Sequence, residues 1–201
     1  MRYIAQKKRR ICSRHGGDRT LTARSAQKPQ SLRLIRPTPG LAPCRGYLQS
    51  GQSIYRCVIG ATGVSRNKRE GDRATPNGRL EILGGYFRAD RGARPRWLLP
   101  LMPIRKNDGW CDDPASFLYN RPVQLPQAGS CETLTMAARS YDVVLVLDYN
   151  LDPRRLGRGS AIFFHLSTPD WTPTAGCIAI SPGDMRKLLP RLRARAAIMV
   201  A

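Results

Sequence analysis

Proline and glycine interrupt this chain so often that no apolar run in it is long. Sixteen Pro and eighteen Gly are spread over 201 residues. A helix bundle needs unbroken 3.6-residue periodicity, which such punctuation forbids. Short strands joined by turns tolerate it, so the chain is expected to be mainly β. No run approaches the ~18 to 20 apolar residues that span a bilayer. The length suits one domain with a substantial core, plus a tail.

The strand-like runs can be read in order. Residues 32–36 (LRLIR) alternate and stop at Pro37 and Pro39. Residues 54–59 (IYRCVI) form a second strand, closed by Gly60. Residues 68–78 (KREGDRATPNG) demand a loop. Residues 79–87 return to strand, with Gly84-Gly85 as a bulge or bend. Residues 90–127 are irregular and rich in Pro and aromatics, as in a packed wall or lid. Residues 142–149 (DVVLVLDY) are the strongest strand, apolar enough to be covered on both faces. Near the end, Ser181 and Pro182 open a short helix with Met185, Leu188, Leu189 and Leu192 on its apolar face and Pro190 at its end. Residues 196–200 close the fold as a strand.

The formal charge is +20, and residues 1–36 hold half of the excess with Asp18 as their only acidic group. Residues 1–30 show no apolar periodicity and no apolar core of a secretory signal, so they are expected to be a disordered basic arm, with His15 solvated and idle. The ordered domain is expected over 31–201. A basic protein attracts polyanions, but no zinc-finger spacing or nucleic-acid-reading strand accompanies the charge. Six Cys (12, 44, 57, 111, 131, 177) form no CxxC pair and are too sparse for a disulfide scaffold. With only two His, no metal site is expected, and no cofactor.

One stretch carries chemistry. Residues 160–180 read SAIFFHLSTPDWTPTAGCIAI, with His165 inside one apolar run and Cys177 opening another. A Pro-rich loop joins the runs, so they can lie side by side. A thiol beside an imidazole is the minimum equipment for nucleophilic acyl transfer. Gly176 permits a sharp turn before the sulfur, and consecutive backbone N–H groups there can face an incoming carbonyl oxygen.

The pattern GRGSAIFFHLSTPDWTPTAGCIAIS resembles the catalytic core of the YkuD-type L,D-transpeptidases. Residues 68–78 resemble that family's Thr-Pro-x-Gly strand entry, with Thr75, Pro76 and Gly78 as structural residues. Residues 108–114, 119–123 and 141–150 resemble segments of a proteobacterial subgroup. The likeness covers about residues 32–200. It departs at the cysteine motif, where Ala175 stands in place of a common second His and Ile178, Ala179 and Ile180 replace the usual polar follower.

The resemblance implies a single-domain β-sandwich of mixed sheets with short helices. It implies Cys177 as nucleophile and His165 as base, acting on peptidoglycan stem peptides with loss of terminal D-Ala. His165 takes the thiol proton or stands with Cys177 as a thiolate–imidazolium pair. Backbone N–H groups of Cys177 and Gly176 would hold the oxyanion. A backbone carbonyl near Thr174 or Ala175 would orient the imidazole, with Asp170 as a side-chain substitute. Arg121, Asn120, Arg158 and Trp171 are candidate substrate contacts. The acceptor would be a second stem peptide, an envelope protein, a D-amino acid or water. Water would make the protein a carboxypeptidase of the same fold. A basic module binding an anionic polymer is the non-catalytic alternative. The location implied is the cell envelope or periplasm, although no signal peptide is recognisable.

Overall fold

Strands dominate because the apolar runs alternate or are continuous over only three to ten residues. A computed structural model describes residues 31–36 and 42–201. The basic arm at 1–30 and His15 lie outside the described residues. The strands are β1 (Ser31–Ile35), β2 (Arg45–Ser50), β3 (Ser53–Val58), β4 (Val64–Ser65), β5 (Thr75–Pro76), β6 (Gly78–Phe87) and β7 (Leu101–Pro103). They continue as β8 (Asp108–Cys111), β9 (Arg121–Gln124), β10 (Cys131–Thr133), β11 (Val143–Leu147), β12 (Phe163–Leu166), β13 (Ile178–Ile180) and β14 (Ala197–Val200). The single α-helix among the described residues is α1 (Pro182–Leu188).

The main sheet runs β11-β12-β13-β3-β2-β1-β14-β6-β7, and β11 also pairs with β6. That extra pairing closes the sheet on itself, giving a mainly β sandwich that is sealed at its edge. Closure removes most exposed strand edges, which would otherwise template aggregation. Three pairings are parallel (β1–β14, β12–β13, β6–β7) and the rest of the main sheet is antiparallel. The bulge expected at Gly84-Gly85 is there: Val146 pairs with Gly84 but Leu147 with Ile82, so Leu83 is the extra residue. Gly85 has a separate cause, since a Cβ on it would sit 2.4 Å from the Val144 carbonyl.

Leu32, Leu48, Ile82, Leu145, Phe164 and Ile178 fill the interior, and α1 adds Met185 and Leu188. Each such side chain contributes about 1.5–3 kcal/mol on burial. Ser181 caps α1, its Oγ accepting from the Asp184 N–H at 3.0 Å. The helix stops at Leu188, and Pro190 falls in a 3-10 turn after it.

β11 and β12 are covered on both faces, as the apolar run at 142–149 predicts. Leu145 and Phe164 face the interior, while Val144, Val146 and Phe163 face a second cluster with Trp110, Leu134 and Tyr141. A small sheet, β10-β8-β9, lies over that cluster. The irregular segment at 90–127 thus supplies β7, β8 and β9, and its Trp110 stacks edge-on against Phe163 at 5.1 Å.

Candidate active site

β12 and β13 bring His165 and Cys177 to one face. They pair in parallel, Phe164 opposite Ile178 and His165 opposite Ala179. Side chains alternate along strands, so His165 and the residue two before it share a face with Ala179 and the residue two before that. Cys177 precedes the first paired residue of β13 rather than opening the strand. Both side chains line one cavity of about 390 Å³.

Two side chains hold the cysteine turn from beneath. Thr75 is fully buried, and its Oγ accepts from the Gly60 N–H at 2.9 Å and donates to the Gly176 carbonyl at 2.9 Å. Thr174 Oγ donates to the Cys177 carbonyl at 2.6 Å. Gly176 has φ +144°, and a Cβ there would lie 2.9 Å from the Ala74 carbonyl, so only Gly fits. The expected structural role of Thr75 therefore extends to the turn itself. Thr75→Val keeps the shape but strands two buried backbone groups, an expected cost of about 3 kcal/mol. Thermal unfolding should show it as a Tm lower by roughly 10 °C, with Thr75→Ser close to wild type.

The sulfur has its own cradle. Cys177 Sγ donates to the Ala161 carbonyl at 3.2 Å and accepts from the Phe163 N–H at 3.3 Å. Ala161 has φ +48°, a left-handed conformation that a β-carbon disfavours by about 1–2 kcal/mol. Asn120 holds it there: its Oδ1 accepts from the Ala161 N–H at 3.1 Å and from Trp110 Nε1 at 2.9 Å. Its Nδ2 donates to the carbonyls of Tyr149 and Asn150. Asn120, buried and bonded at both ends of its amide, thus braces the backbone behind the cysteine.

His165 is oriented by a carbonyl, but not one near Thr174 or Ala175. Its Nδ1 lies 2.9 Å from the Leu166 carbonyl. A carbonyl only accepts, so Nδ1 carries the proton and Nε2 is left with a free lone pair. Asp170 takes no part; its carboxylate accepts from Thr172 Oγ at the surface, 2.6 Å away. Burial pulls the imidazole down to about 4, against the Leu166 bond. Burial pushes the Cys177 thiol up to about 12, with the Glu132 carboxylate adding to it and the Phe163 N–H, Lys68 and Tyr141 opposing it. The resting pair is therefore a neutral thiol and a neutral imidazole, not an ion pair.

Glu132 and Tyr141 stand beside this pair; Tyr141 opens the family-like segment at 141–150, while no local motif marks Glu132. Tyr141 Oη donates to Glu132 Oε1 at 2.6 Å, and its ring packs edge-on against His165 at 5.1 Å. Burial first, then the Asp112 and Glu70 charges, raise Glu132 to about 7, against the Tyr141 bond. Above pH 7 its charge disfavours the Cys177 thiolate. Glu132→Gln keeps the acceptor for Tyr141 and removes the charge. Alkylation of Cys177, followed by peptide mass spectrometry, should be about tenfold faster in this variant at pH 8. At pH 5, where wild-type Glu132 is neutral, the two rates should agree.

Of the other candidates, Thr174, Ala175 and Gly176 line the cavity, and Arg121, Arg158 and Trp171 do not. The Gly176 N–H is directed at Thr174 Oγ, 3.2 Å away. Arg121 opens β9 in the small sheet and Arg158 bonds Asn67 at the surface; neither lines the cavity. Trp171 staples the loop, with Arg56 stacked 4.3 Å above its ring and Arg45 bonded to its carbonyl. Among the described residues no cluster of His, Cys, Asp and Glu has the makings of a metal site.

A search of curated proteins gives no match. Residues 45–200 match the family model described as YkuD, the L,D-transpeptidase catalytic domain. That span runs from the first residue of β2 to the last of β14 and includes both His165 and Cys177. The chain belongs to the YkuD family of L,D-transpeptidase catalytic domains.

Proposed function

We propose that the protein is a cysteine acyltransferase acting on peptidoglycan stem peptides, with Cys177 as nucleophile and His165 as base. One observation carries this: the thiol and the imidazole open on one cavity, with Nδ1 tied to the Leu166 carbonyl and Nε2 left to take a proton. In the proposed cycle the thiol proton leaves the Ala161 carbonyl for His165 Nε2 as sulfur attacks the carbonyl before the terminal D-Ala. The oxyanion is held by the Cys177 N–H, joined by the Gly176 N–H once it leaves Thr174 Oγ. Collapse breaks the C–N bond, His165 returns its proton to the departing amine, and a thioester remains. An acceptor then attacks, gives its proton to His165, and frees the thiol.

The cavity favours an amine over water as that acceptor. Glu70, Asp112 and Glu132 line it, and Asp112 Oδ1 is buried without a partner. A carboxylate wall attracts an ammonium group, as on a second stem peptide or an envelope protein. This reading places the protein in the cell envelope. No helix among the described residues is long and apolar enough to cross a membrane.

The test is incubation of the purified full chain with tetrapeptide-bearing sacculi, followed by muropeptide analysis. New 3→3 dimers or amine adducts are expected. Tripeptides alone would make the protein a carboxypeptidase. Unchanged muropeptides would leave only a polymer-binding role for the +20 charge.

A further inference from the structure

Two cysteines outside the acyl-transfer site face each other across the small sheet. In β8 and β10 Cys111 is directly opposite Cys131, and Trp110 is opposite Glu132. The hydrogen bonds flank the cysteines: the Asp112 N–H donates to the Ser130 carbonyl at 3.2 Å. Four residues along the same ladder, the Leu134 N–H donates to the Asp108 carbonyl at 2.9 Å, so the hydrogen-bonded positions alternate with the cysteine position. Cys111 and Cys131 are therefore a non-hydrogen-bonded antiparallel pair, whose Cα atoms lie about 4.5 Å apart with side chains drawn together. Disulfides accept Cα separations from about 4.4 to 6.8 Å. Both residues are free thiols here, Cys111 fully buried and Cys131 partly exposed.

We propose that Cys111 and Cys131 are a disulfide-forming pair that clamps the wall of the active-site cavity. Asp112 follows Cys111 and Glu132 follows Cys131, and both carboxylates line that cavity. The bond would fix them relative to each other. The chemistry needs a disulfide oxidant. The Cys131 thiolate attacks one sulfur of it and expels one thiol, forming a mixed disulfide. Cys111 then gives up its proton and displaces the second thiol. The two protein thiols lose two electrons and two protons, and the oxidant leaves as two thiols. Cys131 is the entry point because Cys111 has no exposed surface. Burial, then Cys111, then the Asp112 and Asp113 charges hold the Cys131 thiol up at about 11. The first step should therefore quicken about tenfold per pH unit between pH 7 and 9.

The experiment is oxidation of the reduced full chain with oxidised glutathione at pH 8.5, then alkylation, digestion and peptide mass mapping. The expected product is one peptide pair joining Cys111 to Cys131, with a mass about 2 Da below the reduced pair, lost on reduction. In Cys131→Ser, Cys111 should stay a thiol, alkylated only after unfolding. Glutathione held stably on Cys131 with Cys111 still reduced would overturn the proposal. So would pairing of either residue with Cys44, Cys57 or Cys177.

Discussion

Cys177→Ala should lose turnover on stem peptides by at least about a thousandfold and take up no β-lactam of the carbapenem type. The wild-type chain should acquire a single acyl adduct, located at Cys177 by peptide mapping. The variant should still fold. Its loss is two sulfur hydrogen bonds, to the Ala161 carbonyl and the Phe163 N–H, beside an open cavity that water can enter. Sulfur is a weak partner, so the expected cost is about 1 kcal/mol. A carbapenem adduct retained in Cys177→Ala would sink the assignment. Among the described residues Cys131 is the thiol to watch, since Cys44, Cys57 and Cys111 are buried. Retained dimer formation in the variant would sink it independently.

Two kinds of strand read directly from the sequence: those that alternate, such as β1 with Leu32 and Leu34 buried, and those whose side chains meet two walls. Residues 142–149 and 161–166 are apolar almost throughout because β11 and β12 pack on both clusters. β2 does not read so, because its sequence RGYLQS buries little beyond Gly46 and Leu48. The small sheet is hidden for a different reason. Its strands are three or four residues long, separated by Pro and Gly, and exist by pairing with each other. Closure of the main sheet rests on β6 meeting β11, about sixty residues apart, which no local pattern encodes.

The same division runs through the site. His165 and Cys177 stand out because the chain has only two His, and because Gly176 precedes the sulfur. Asn120 does look polar and well placed, yet its partners are the backbone of Ala161, Tyr149 and Asn150, brought together only in the fold. Glu132 and Tyr141 are nine residues apart with a turn between them, and they gain meaning from the ring of His165 beside them. Cys111 and Cys131 carry no spacing signal either; β8–β10 register makes them neighbours. The carbonyl that orients His165 belongs to the next residue, Leu166, a partner set by the ring's rotamer and not by any motif.

His165→Gln should lower turnover about a hundred- to ten-thousandfold, the range for losing a general base. Its pH behaviour separates a base from a merely buried residue. Wild-type turnover should hold down to about pH 5, because the imidazole takes up a proton only near 4. Stability supplies the second readout. The imidazole binds its proton at about 6.5 when unfolded and about 4 when folded. Between those values the unfolded chain holds more protons, so wild-type stability falls by about 3 kcal/mol as pH drops from 6.5 to 4. Glu132 acts in the opposite sense. Its carboxyl is raised from 4.5 to about 7, so the folded chain holds more protons there and gains stability as pH falls from 7 to 4.5. In the wild type the two slopes largely cancel. In His165→Gln the Glu132 slope stands alone, and denaturant unfolding should find the variant more stable, relative to wild type, at pH 4.5 than at pH 7. A difference that does not change with pH would mean that the His165 ring is not held neutral in the fold, and that its Nε2 is not the proton acceptor the cycle needs.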